Sequence, residues 1–352
     1  MTPAALNLGA SMGRARSPGL WALAWGRFCR DRVGFVSFLV VLVYCVLMAA
    51  SGSGLIAADW AQEAGVNYAP PTFIGSDEAA HPQLEQSVPE QARGTSNYKS
   101  SIADPLAGVL AEIRRESARE SALEPKASTL PFGGDKWGRD VLKKTIKGTE
   151  TSLFVGLAAA ALTVFLGTFF GALAGYYGRR TDDFFNWSYS VFTSIPYLLL
   201  ILAIAAVLNQ KGTTTVVLIL GLTGWTGIFR LVRAEYLKHK VREYVQAADA
   251  IGASDARRMF VHILPNVSHV VLVQLSLHVV LFIKSEVILS FLGFGVGVDT
   301  VSWGSMLNEA QSELLLGKWW QLAAATAAMA VLVTAFSLFT DALRDALDPK
   351  LK

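Results

Sequence analysis

Six apolar runs, each close to the length needed to cross a bilayer, leave this chain few folds to choose from. They cover residues 33 to 50, 152 to 177, 187 to 208, 215 to 232, 267 to 292 and 320 to 339. A stretch of about 20 apolar residues matches the hydrocarbon thickness of roughly 30 Å, and in lipid each segment must satisfy its own backbone hydrogen bonds. Each run is therefore expected as a helix. The whole chain agrees, with 52% of its 352 residues hydrophobic, 17% charged and a mean hydropathy of +0.39. The fold class read from this is an all-α membrane protein with six transmembrane helices.

The charges orient these helices. Arg14, Arg16, Arg27, Arg30 and Arg32 precede the first run, residues 233 to 267 carry Arg233, Lys238, Lys240, Arg242, Arg257 and Arg258, and Lys350 and Lys352 close the chain. Basic residues flank membrane helices on the cytoplasmic side, so both termini and segment 233–267 are expected there. A net charge of +3, with no interleaving of basic and aromatic residues, is then a matter of orientation rather than of nucleic-acid binding. The chain divides into a cytoplasmic segment 1–32, an uncleaved first helix 33–50, an extracytoplasmic loop 51–149, a transmembrane domain 150–342 that includes segment 233–267, and a cytoplasmic tail 343–352. Trp21, Leu23 and Trp25 lie along the interface or belong to a mobile tail. In the loop, Leu106, Val109, Leu110 and Ile113 mark one face of an amphipathic helix, in a stretch that is a lid, a docking surface for a carrier protein or a partly disordered insertion.

Small and polar residues differentiate the spans. Gly167, Gly171 and Gly175 recur every fourth residue and strip one helix face for close packing, and Gly221, Gly224 and Gly227 beside Trp225 do the same in the fourth run. Pro196 removes a backbone donor and predicts a kink within the third. Before the second run, Gly133 and Gly134 mark a turn, Asp135 is placed to cap the helix after it, and Val141, Leu142, Thr145 and Ile146 form the face of that helix on the outer surface. Trp303, Trp319 and Trp320 read as an interfacial re-entry and an aromatic belt. His278, Lys284 and Glu286 fall at membrane depth, where charge must face protein or a watery cavity. Lys284 and Glu286 point in different directions, each as a structural contact or as part of a translocation path. No second embedded carboxylate flanks His278, which weakens a proton-carrier role.

The sequence holds no catalytic chemistry. Gly317-Lys318 is followed by Trp319 and lacks the glycine of a phosphate cradle, no His/Cys/Asp/Glu cluster has metal-ligand spacing, and no serine sits in a nucleophile elbow. Cys29 and Cys45 make neither a disulfide pair nor a metal site. Two readings stand: a channel or secondary transporter working alone, and a membrane subunit driven by a separate motor. The second needs a protruding docking element. Segment 233–267 has the length for one, since connections between helices usually take about 2 to 8 residues. Val245, Ala248 and Ile251, with Ala247 and Gly252-Ala253, give a short helix with a low face, and Ser254 and Asp255 start a second helix that Pro265 interrupts or re-aims. The alternative at this point is an ordinary loop.

Gln246-Ala247-Ala248, Gly252 and His262-Ile263-Leu264-Pro265-Asn266 resemble the cytoplasmic signature of permease subunits of ATP-binding-cassette importers for dipeptides and oligopeptides, with Gln246 in place of the acid and His262 in place of isoleucine. Phe132-Gly133-Gly134-Asp135 through Gly138-Arg139-Asp140-Val141-Leu142, Leu289 through Gly295, and Leu343-Arg344-Asp345-Ala346-Leu347-Asp348-Pro349 narrow the resemblance to the second, C-type permease. The family usually has Thr where Gly134 stands, and its outer loop is commonly shorter. The resemblance implies a type I importer permease fold in which Gln246, Ala247, Ala248, Gly252, Ala253, Leu264 and Pro265 couple to an ATPase cleft. It implies as partners a homologous permease, two ATPase subunits that bind the ATP and Mg, and an extracytoplasmic solute-binding protein. Peptides are the expected cargo, with glutathione, peptide antibiotics and nickel chelates as alternatives.

Overall fold

The computed structural model describes residues 25–75, 108, 109, 112, 126–297 and 299–347. Expectations for Arg14, Arg16, Trp21 and Leu23, for Leu106, Leu110 and Ile113, and for Asp348, Pro349, Lys350 and Lys352 lie outside them. Among the described residues the regular structure is helical, with three isolated β-bridges and no strand. Four helices are long and apolar enough to cross a membrane, or six if each of two bent pairs is one span.

Helix α1, Arg32–Gly52, starts where the Asp31 carboxylate accepts the Val33 N–H. Helix α2, Val141–Tyr177, is 37 residues long, about 55 Å at 1.5 Å per residue. The separate outer helix expected over 141–146 is its first turns. Thr145 and Thr149 bond back to carbonyls one turn earlier, and Gly148 lets the helix run beneath Trp303, so nothing stops it before the apolar run. Its cap is Asp140, which accepts from the N–H groups of Leu142 and Lys143. Asp135, expected in that role, instead closes the preceding turn by accepting from Trp137 and Arg139.

The third run is not one kinked helix. Helix α3, Arg179–Thr193, and helix α4, Tyr197–Leu208, meet at 84°. Pro196 is the N-cap of α4 rather than an interior residue. Its ring disfavours helical geometry at Ile195 and it offers no N–H, which is enough to end one helix and begin another. The fourth run also splits, into α5, Thr213–Thr223, and α6, Thr226–Lys240, bent by 40°. Helix α7, Glu243–Ala250, follows, then one turn over Asp255–Arg257, a π-helical turn Arg258–Ile263 and helix α8, Leu264–Phe291. Pro265 does not interrupt this path: it follows directly on the π-helical turn, and helical residues run on without a gap from Asp255 to Phe291. Helix α9, Trp303–Leu315, and α10, Trp320–Leu347, complete the chain.

Helix α2 is the axis, packing against α1, α5, α6, α8, α9 and α10. A Cβ on Gly167 would lie 2.7 Å from that of Ile228, on Gly171 2.9 Å from the Phe229 carbonyl, and on Gly175 2.7 Å from the Arg233 carbonyl. Three consecutive turns of α2 thus approach the α6 backbone as no larger residue could. Gly221 and Gly224 are similarly filled by Leu162 and Phe282, whereas Gly227 faces open space. Trp303 and Trp320 are core residues, not belt residues: both are buried, and their indole N–H groups donate to the carbonyls of Thr145 and Gly134. Trp319 is the exposed one of the three.

Candidate functional site

The segment after α6 is a small, anchored platform. Val245 of α7 is buried in a cluster with Tyr236, Met259, Ile263 and Val267, and Ala248, one turn on, is buried as well. Ile251, expected on the same face, is instead 85% exposed, because α7 ends at Ala250 and the chain turns. The turn explains Gly252. Its φ is +83°, its N–H donates to the Asp249 carbonyl, and the Ala253 N–H reaches the Ala248 carbonyl, the paired bonds of a Schellman termination. Glycine is there for left-handed backbone, since a Cβ would meet nothing within 4 Å.

Charged and aromatic groups hold the platform in place. Arg258 donates to Asp249 and Asp255, each at 2.5 Å, and the Tyr176 hydroxyl at the end of α2 donates to Asp255 at 2.9 Å. Lys240 donates to the Tyr176 carbonyl, and the Tyr236 hydroxyl to the Met259 carbonyl. Ser254 caps the return by accepting the Arg257 N–H. The outward face then consists of Gln246, Ala247, Ala250 and Ile251, with Gly252 at its end, while Ala253 and Leu264 are half-buried and Pro265 is exposed. Gln246, Ala247, Gly252 and Pro265 are thus open to a partner, and Ala248 supports them from below.

The membrane-depth charges separate. Glu286 is fully buried, its carboxyl accepting from Ser152 at 2.8 Å and Ser290 at 2.7 Å, while Ser152 also accepts the Trp303 N–H. It ties α8 to α2 and to the start of α9. Lys284 lies on the exposed side of α8, with no ion-pair partner among the described residues. His278 is accounted for by the Gln274 carbonyl and the Phe282 ring.

Sequence reasoning missed a second charged centre at the opposite end of the bundle. Lys144, on the first turns of α2, donates to Asp135 at 2.7 Å, Glu309 at 2.5 Å and Gln321 at 3.3 Å, with its side chain only 2% exposed. Glu313 lies in the same cluster, accepting the Lys136 N–H through one oxygen while the other is buried without a partner. Burial lifts its carboxyl to about 7 against the pull of Lys144. Also missed was the bidentate pair of Arg233 and Asp182, at 2.5 and 2.6 Å, which ties α6 to α3. The available signal was charge at the ends of apolar runs.

A bundle of bent and straight apolar helices with an anchored, small-residue platform at its basic end defines a membrane-spanning protein with an exposed face outside its apolar spans. Residues 167–352 match the family described as the binding-protein-dependent transport system inner membrane component, and the chain belongs to that family. It has the type I permease fold. It is similar to the dipeptide transport system permease protein DppC of Bacillus subtilis, 39% identical over 63% of this chain and 69% of the relative. The likeness to DppC of Lactococcus lactis is 29% over 93% of this chain and 90% of that protein. The oligopeptide transport system permease protein OppC of Haemophilus influenzae is 34% identical over 62% and 70% respectively.

Proposed function

We propose that this chain is the C-type permease subunit of a peptide importer, forming half of the translocation path in a bacterial inner membrane with both termini cytoplasmic. Dipeptides or oligopeptides are its cargo, as the names of its relatives support. Its partners are a homologous permease, two ATPase subunits that hold the ATP and Mg, and a solute-binding protein outside. The chain itself is non-catalytic. The observation that carries the reading is the α7 platform: Gln246, Ala247 and Gly252 face outward while Ala248 and Val245 are buried beneath, so a partner pressing on the face moves α2, α6 and α8 through Tyr176, Tyr236 and Met259. Membrane charge supports a driven subunit over a lone secondary transporter, because Glu286 is engaged by serines rather than by a cation on another helix.

The test is uptake of a labelled dipeptide by proteoliposomes holding the complete complex. Uptake requires the ATPase subunits and ATP, and the isolated chain turns over no ATP. ATP hydrolysis by the isolated chain, or peptide uptake without the ATPases, overturns the reading.

A further inference from the structure

Two broken spans lie side by side in this bundle, and between them is a cleft of about 440 Å³. Its walls are Tyr189 and Thr193 from α3 and Thr226, Gly227, Arg230 and Ala234 from α6. Irregular backbone at membrane depth is tolerated only where it is covered by protein or lines a watery cavity, and broken helices are where transporters place their sites. Here Thr193, Ser194, Ile195 and Pro196, the residues of the α3–α4 break, are all exposed. The break is therefore not packed into the core of this chain.

Arg230 gives the cleft its chemistry. One turn further along α6, Arg233 is neutralised by Asp182, which also accepts from Asn186. Arg230 has no such partner: among the described residues no carboxylate pairs with it. One of its N–H groups donates to the Tyr189 hydroxyl at 3.0 Å, and its guanidinium lies 5.4 Å from that ring. The hydrogen bond holds the guanidinium beside Tyr189 and leaves its other N–H groups without a partner among the described residues. Arg230 stands at the cytoplasmic end of the fourth run with its side chain exposed, so its guanidinium is open to water and to an arriving anion. The hydroxyl of Thr226, in the same walls, adds a donor that suits an oxyanion, while that of Thr193 is spent on the Tyr189 carbonyl. Gly227, with nothing in front of it, keeps the floor clear.

We infer that this cleft is a carboxylate subsite on the translocation path, in which Arg230 receives the C-terminal carboxylate of the peptide as it passes. The inference rests on the reading of the chain as a peptide permease and names the chemical group that its path recognises. Tyr189 is the positioning residue that orients the guanidinium. A lipid phosphate could present similar chemistry from the side, and the experiment separates the two.

The complete complex is reconstituted with wild-type chain, Arg230→Gln or Arg230→Lys, in liposomes of phosphatidylcholine alone or with added phosphatidylglycerol. Each receives one peptide either as the free acid or as the C-terminal amide, with the binding protein saturated by each as judged by its intrinsic fluorescence. Maximal uptake of the free acid falls about tenfold in Arg230→Gln, the scale of one lost charge-assisted hydrogen bond. Arg230→Lys retains most of it, and uptake of the amide is the same in wild type and both variants, in either lipid. An equal loss for acid and amide makes Arg230 structural and overturns the proposal. A loss that appears only with phosphatidylglycerol assigns the cleft to lipid and overturns it too. If wild type imports peptides and Arg230→Gln is indistinguishable from it, the subsite alone fails; if wild type imports neither peptide, the permease reading fails and takes the subsite with it.

Discussion

The two ends of the bundle solve opposite problems with charge. At the end formed by the first turns of α2 and by α9, Lys144 is enclosed by Asp135, Glu309 and Gln321, and the turn that presents Asp135 is itself held by its own carboxylate. At the α7 end the ions lie on the rim, as Arg258, Asp249 and Asp255, and the face they frame is small and open. The buried Lys144–Asp135 pair fixes geometry, because neither side chain has solvent to fall back on. A rimmed small face is open, and under the proposed function it is where a second protein completes the contacts. The same chain is closed at one end and open at the other, which suits the proposed subunit driven from one side.

The comparison is broken most severely by removing its locked centre. Lys144→Met leaves Asp135, 0% exposed at its side chain, without a cation, and breaking a buried pair by deleting one partner costs about 3 to 5 kcal/mol. The purified permease is expected to show a sharply lower thermal midpoint in detergent, whereas Arg258→Met at the rim is expected to change it far less. Equal effects at the two sites would show that burial does not distinguish the ends.

Titration tests the same end without mutation. Glu313 is lifted from 4.5 to about 7 by burial, aided by Asp135 and Glu309 and opposed by Lys144. A carboxyl whose folded value lies above its unfolded one favours the folded state fully below pH 4.5 and loses that contribution as pH rises through about 7. At roughly 1.4 kcal/mol per pKa unit the loss is at most about 3.5 kcal/mol. Thermal midpoints should therefore fall between pH 5 and pH 7, and Glu313→Gln should flatten that slope. A slope unchanged by the substitution assigns it to another group.

These centres were unequally legible in the sequence. The apolar runs announced the helices, since a span is written in consecutive residues. The glycines at 167, 171 and 175 showed a stripped face without saying that α6 fills it. Lys144 was invisible as a hub because its partners Glu309 and Gln321 are 165 and 177 residues away, and only the packing of α9 and α10 on α2 brings them together. Trp303 and Trp320 follow a polar stretch and so read as interfacial, although their indoles are consumed by carbonyls in the core. Pro196 marked an irregularity, but the 84° break depends on where α3 packs: Asp182 is held by Arg233, and Phe185, Tyr189 and Phe192 lie against Trp225 and Phe229, so α3 lies along α6 instead of continuing the line of α4. Gly252 stood out by its spacing. Its reason, a left-handed turn, became visible only where α7 stops.

That turn gives the mildest and most selective perturbation, because it separates what the chain needs from what its partner needs. Leucine at position 252 must adopt φ near +83°, which costs an L-residue about 1 to 2 kcal/mol. It meets no atom of this chain within 4 Å of its Cβ, so its side chain projects from the open face. Gly252→Asn carries a smaller backbone cost, since asparagine tolerates left-handed geometry, and adds less bulk. Both variants should insert and purify as wild type does, because the site lies outside the apolar spans. Co-purification of the ATPase is expected to fall steeply for Gly252→Leu and modestly for Gly252→Asn, with peptide uptake changing in the same order. Equal losses for the two would place the cost in the backbone turn rather than in an occupied interface. Undiminished co-purification with normal uptake in Gly252→Leu would return the platform to an ordinary loop, and the bundle would then be finished at both ends.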